Sequence, residues 1–228
     1  HDIYWPDTNT MWLATDNGVM AYQRDTEQLL SQFDSLKGFT VRLLQEDHNG
    51  GLWIGGVMGL WHYQYNRLSP FTLNAELESR HITVLQQQDE KLVFGTTRGL
   101  YQYEQQRLSR LGVGTALYNS YVTALQLLPD GQLLASTLDD GIFIRRTDNS
   151  WYQLHSANGL PHSPVVSITY DGATDYIWIS SQKGIFRLRS ADFNRQSVDT
   201  LPIEDVLGPY DRQLGTVPGR CCNGAGHA

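Results

Sequence analysis

Apolar and polar positions along this chain repeat every forty residues or so, and within each repeat they alternate over short runs. The clearest copy runs Val41, Leu43, Leu44, a polar turn at Glu46, Asp47 and Gly50, then Leu52, Trp53, Ile54, Gly55, and finally Gly59, Leu60 and Tyr63. Trp12, Trp53, Val93, Leu134 and Trp178 share one position of the pattern, at separations of 41, 40, 41 and 44 residues. Gly18, Gly59, Gly99, Gly141 and Gly184 share another. Runs of this length, bounded by Gly, Asn and Asp, predict β-strands and leave no segment with helical periodicity.

Each repeat reads as four antiparallel strands. The first is an apolar run expected to lie innermost: Val41 to Glu46, Ile82 to Gln87, Val122 to Leu127 and Val165 to Thr169. Turn chemistry follows in Asp47-His48-Asn49-Gly50, Pro129-Asp130-Gly131 and Asp171-Gly172, where Asx side chains and glycine favour a hairpin. The second strand carries the tryptophan position, and the shared glycine then opens the third, because φ > 0 is cheap there only for Gly or Asn. A more polar fourth strand, such as Trp151 to Leu154, suits an outer edge. Four-stranded units at this period predict an all-β chain folded as a β-propeller, with repeats at about 1–38, 39–79, 80–119, 120–162 and 163–203 and a partial one over 204–228. The tryptophans, each able to bury ~150–250 Å², are expected between adjacent blades. Five repeats, a strand remnant at His1 to Trp5 and a tail ending at Ala228 lead to the expectation that the propeller is incomplete in this chain and that its remaining blades are among its partners.

Composition narrows the classes. Of 228 residues, 40% are hydrophobic and the net charge is -7, which fits a folded domain and argues against a nucleic-acid partner, since phosphate recognition needs clustered basic residues. No apolar run is long enough to span a bilayer. No charged-then-apolar leader is present, so any signal peptide is expected to have been removed or to lie outside this sequence. The adjacent Cys221 and Cys222 cannot frame the fold; neighbouring strand residues face opposite sides, so one thiol packed inward and one outward is the expected arrangement.

The series from Val41 to Tyr63 resembles the two-component regulator propeller repeat, and Asn158-Gly159-Leu160-Pro161-His162-Ser163-Pro164-Val165 resembles the Gly-Leu-Pro linker before each repeat of that family. The tail from Arg220 to Ala225 is similar to the first strand of the last blade in such sensors, particularly those joined to diguanylate cyclases. Repeats three and four depart from the pattern, with Val93 and Leu134 in place of Trp. The resemblance implies the periplasmic, signal-sensing part of an inner-membrane signal-transduction protein. Its output domain would be a cytoplasmic histidine kinase or diguanylate cyclase, signalled through altered packing or homodimer geometry. On this reading the segment is not itself an enzyme and carries no cofactor. A propeller lyase or hydrolase and a protein-interaction scaffold are the alternatives.

Candidate chemistry is sparse. No Gly-x-Ser-x-Gly elbow, His-Glu-x-x-His or glycine-rich phosphate loop occurs. His155 and His162 share one loop without a compact metal-ligand spacing, and Glu46-Asp47-His48-Asn49-Gly50 lacks the acidic ladder of a calcium loop. Propeller geometry instead directs attention to the loops between strands two and three and those entering strand one. Asp16, Arg98, Asp139 and Lys183 from the former, with Asn17, Met58 and Asp140 beside them, and Tyr121 and His162 from the latter, with His81, form the candidate set. That mixture suits a polar or carbohydrate-like periplasmic ligand.

Overall fold

The computed structural model describes residues 1–160, 164–194 and 204–207. His162, Cys221 and Cys222 lie outside them. The first sheet comprises β1 (Asp2–Tyr4), β2 (Thr10–Thr15), β3 (Gly18–Gln23) and β4 (Gln28–Gln32). The second holds β5 (Val41–Glu46), β6 (Leu52–Gly56), β7 (Gly59–Gln64) and β8 (Arg67–Pro70). The third holds β9 (Ile82–Gln88), β10 (Lys91–Thr96), β11 (Gly99–Glu104) and β12 (Arg107–Arg110). The fourth holds β13 (Val122–Leu127), β14 (Leu133–Thr137), β15 (Ile142–Arg145) and β16 (Trp151–Leu154). The fifth holds β17 (Val165–Asp171), β18 (Tyr176–Ser181), β19 (Gly184–Arg189) and β20 (Glu204–Leu207). Every sheet is an antiparallel meander in chain order, and the molecule is an all-β propeller-type assembly of four-stranded blades.

At the start of the chain Asp2–Tyr4 pairs with β2 as the first strand of the first sheet. At the other end β20 pairs with β19 and completes the fifth sheet.

Consecutive first strands β1, β5, β9, β13 and β17 touch one another, so they are the inner strands. Side chains tie them at the repeat period: Asp2 Oδ2 accepts from Leu44 N at 2.9 Å, Thr123 Oγ1 donates to Val165 O at 2.7 Å, and Gln126 Oε1 accepts from Tyr170 N at 3.1 Å. Four apolar cores fill the gaps between consecutive sheets. Along strand two, alternate residues face opposite neighbours. Leu52 and Ile54 pack toward the first sheet, and Trp53 packs toward the third. Trp12 and Trp53 are buried, as are Val93 and Leu134, which fill the same place with smaller side chains. Trp178 is half-buried: its neighbours Ile177 and Ile179 face the fourth sheet, so Trp178 faces the other way, where no further described sheet packs.

Candidate functional site

The repeated glycine marks one end of every blade. Gly99 has φ +99° and its missing Cβ would strike the carbonyl oxygen of Tyr118 in the link to the next sheet, so both the backbone conformation and the close approach require glycine. Gly99 N also donates to Ser120 O at 2.8 Å, and Gly18 N to Phe39 O at 2.8 Å. These bonds fasten the turn of one blade to the entry of the next. A hydroxyl three or four residues before the glycine braces the turn. Thr15, Thr96 and Thr137 donate to the carbonyls of Gly18, Gly99 and Gly141 at 2.9, 3.1 and 3.0 Å.

The same end is built a second time, on the inner strands, by a recurring irregularity. In β5 the pairing passes from Val41 opposite Gly56 to Leu43 opposite Gly55, leaving Arg42 as an extra residue. The shift recurs at Thr83 in β9, Thr123 in β13 and Val166 in β17. A β-bulge bends its strand and re-aims the extra side chain. All four bulge residues line one cavity of about 430 Å³. Its remaining wall comes from His81, Tyr121 and Pro164 before the inner strands, from Val165, and from Leu138 and Gln182 in the turns between strands two and three. Thr97 N donates to His81 O at 3.2 Å and Leu138 N to Tyr121 O at 3.0 Å, so both kinds of loop are held together at the rim.

Electrostatically this cavity is unlike the rest of an acidic chain. Among the described residues Arg42 and His81 line it and no Asp or Glu does. Burial, and then the Arg42 charge, push His81 below the usual histidine value of 6.5. Thr83 Oγ1 is buried without a hydrogen-bond partner, whereas Thr123 Oγ1 is engaged by Val165 O and Ser136 Oγ.

Of the residues singled out from sequence, Tyr121 and His81 line the cavity. Asp16, Arg98, Asp139 and Lys183 are exposed on the turns and are not among its lining residues; Asp16 bonds His1 Nε2 at 2.7 Å. Asn17 Oδ1 and Asp140 have structural tasks, accepting from Gly38 N at 2.8 Å and from the Ser120 hydroxyl. Sequence reading missed Arg42, Thr83, Thr123 and Val166. Their signal was a variable second residue in an inner strand that otherwise starts with Val or Ile and continues apolar.

A second cleft, of about 470 Å³, opens at the opposite end between the second and third sheets. There Asp47 Oδ1 accepts from Asn49 N and Gly51 N at 2.7 and 2.8 Å, Oδ2 meets His62 Nε2 at 2.5 Å, and His62 stacks on Trp53 at 4.1 Å. Although burial alone would raise the Asp47 carboxyl, the Gly51 and Asn49 amides and His62 together hold it below 3.8. This is a self-satisfied hairpin turn. Its acid is committed to two backbone amides and His62, and one face of its tryptophan is covered by the imidazole. His155, the described half of the histidine pair considered for metal, accepts from Ala157 N through Nδ1 at 3.2 Å and closes a local turn.

No protein-family model matches the sequence, and a search of curated proteins finds no relative. Solved structures do match. The extracellular domain of the hybrid two-component system BT4673 from B. thetaiotaomicron superposes with a TM-score of 0.71 at 18% identity, covering 95% of this chain and 28% of that one. The corresponding domain of BT3049 from the same organism gives 0.69 at 17%, over 83% of this chain and 26% of its own. Virginiamycin B lyase from Staphylococcus aureus gives 0.64 at 13%, over 83% and 66%. The chain spans about a quarter of the length of the two sensor-system domains. It has their propeller-type fold, in agreement with the repeat resemblance carried by Val41 to Tyr63.

Proposed function

We propose that this chain is the signal-receiving part of a membrane-bound signal-transduction protein. It faces the periplasm, takes up a polar ligand in the inner-strand cavity, and relays occupancy to a cytoplasmic output domain through altered packing or dimer geometry. The observation that carries this reading is the row of four bulges: one residue from each of four consecutive inner strands is turned out of its sheet toward a single cavity. Bulges are features that re-aim side chains, and a cavity at the convergence of loops with few convergent polar groups is where propellers and other rigid scaffolds hold ligands. The sharing of a fold with extracellular domains of two-component systems supports the same role. No helix among the described residues is long and apolar enough to cross a membrane, so in this reading the anchor belongs to another part of the protein.

The lyase reading keeps one feature in its favour, since His81 sits in the cavity where a base would be wanted. Among the described lining residues, however, no carboxylate accompanies it, and a hydrolytic or eliminating site would want a second acid or a ligand for a divalent ion. The test is signalling by the full-length protein carrying Leu138→Trp, which places an indole in the cavity from an exposed turn position. At matched expression and with the native stimulus, the response is expected to be lost while the thermal midpoint stays within about 2 °C of wild type. A full response with the cavity filled would overturn the reading.

A further inference from the structure

We propose that the inner-strand cavity selects a carboxylate-bearing ligand of up to about monosaccharide size, with Arg42 as its counter-charge and His81 as a supporting donor. This rests on the reading of the cavity as the ligand site, and adds the chemistry of what it takes.

Charge is the first argument. The chain has 24 acidic against 17 basic residues, yet the described cavity wall contains an arginine and a histidine and no acid. His1, His62, Lys91 and Arg110 are held in ion pairs; Arg42 takes part in none of these. A guanidinium presents a planar fork of donors that matches a carboxylate with two parallel hydrogen bonds. Arg42 occupies a bulge position, so its direction is set by backbone register rather than by side-chain freedom alone.

Donors are the second. Thr83, the bulge residue of the adjacent inner strand, lines the same wall, but its hydroxyl is buried within the protein, so the donors offered besides Arg42 and His81 come from other side chains. Tyr121 and Gln182 add a phenol and an amide, while Leu138 and Val166 leave an apolar stretch of wall. A ligand with one anionic end, some hydroxyls and a carbon skeleton is complementary to that distribution. A cavity of about 430 Å³ admits such a molecule and is small for a longer chain.

Proton linkage gives a signature. Among the described residues, the titratable and charged groups lining the cavity beside His81 are Arg42 and Tyr121, and Arg42 works against a charge on His81. An anion seated between them offsets that repulsion and favours imidazolium. Binding therefore takes up a proton and strengthens as pH falls from 8 through the ordinary histidine value of 6.5.

The experiment is isothermal titration of the full-length protein with D-galacturonate, D-gluconate and citrate, and with D-galactose as the uncharged counterpart of galacturonate. At least one carboxylate is expected to bind ten-fold or more tightly than galactose. Its affinity should fall about ten-fold in Arg42→Gln, be partly restored in Arg42→Lys, and lose its pH dependence in His81→Gln, with the thermal midpoints of all variants checked. Equal binding of galactose and galacturonate, an affinity indifferent to Arg42→Gln in a folded variant, or no binding by any of the three acids would each overturn the proposal. The two readings fail separately. Neutral binding that Leu138→Trp abolishes leaves the receptor cavity and removes the anion, while anion binding with signalling untouched by Leu138→Trp leaves the anion and removes the receptor.

Discussion

At the scale of single residues, the proposed ligand groups and the Asp47 turn lie at opposite ends of the blades. Asp47 belongs to stability. Its folded carboxyl titrates below 3.8, so its contribution is present above the unfolded value and is lost as pH falls through the lower folded one. Asp47→Asn is expected to destabilise by about 1–3 kcal/mol at neutral pH and to flatten acid unfolding below pH ~4, measured by urea titrations across pH. Trp53→Ala should cost about 3–5 kcal/mol, because the ring is buried against Phe71, Tyr103 and His62. These two residues were legible in the sequence as a turn acid and a repeat tryptophan. The cavity residues mostly were not. Strict alternation places Arg42 and Thr83 on one face of a regular strand, and only the pairing shift at Leu43 and at Val84 reveals that they turn toward the axis. A bulge depends on how two strands align, and nothing in a single strand's pattern encodes it.

At the scale of elements, the agreement is close because turn chemistry and apolar runs act locally. The inner strands expected at Val41 to Glu46 and Val122 to Leu127 are β5 and β13 with those limits, and the others extend by one or two residues into their turns. What the pattern hid was the joint between blades, where the glycine, the bracing hydroxyl and the following link form one unit. Gly99→Ala is expected to cost about 2–4 kcal/mol, combining a left-handed backbone with overlap at Tyr118. Thr96→Ala at the same turn should cost only about 0.5–1.5 kcal/mol, since one hydrogen bond to Gly99 O is lost. Thermal unfolding of the pair orders the two effects; equal costs would mean that the glycine is dispensable at the joint.

At the scale of the whole molecule, the arrangement is a propeller-type succession of described blades joined by four inter-sheet cores. Circular dichroism should accordingly show helix in less than about a tenth of residues. The forty-residue period made this architecture legible, since a repeat that cannot bury its own faces must stack on its neighbours. It left the candidate cavity only half legible: His81 and Tyr121 line it, but Arg98, Asp139 and Lys183 stand on exposed turns outside it. Arg98→Ala with Lys183→Ala is expected to leave the thermal midpoint within about 2 °C of wild type and to reduce signalling less than any change inside the cavity. The most direct measurement sets the two ends of the blades against each other in one signalling assay of the full-length protein, at matched expression and with its native stimulus. Leu138→Trp at the inner-strand cavity and His48→Trp at the opposite cleft each place an indole in a space of similar volume from an exposed turn position. Loss of response is expected in the first and a wild-type response in the second. A response lost in the second and kept in the first would contradict the cavity's role as receptor.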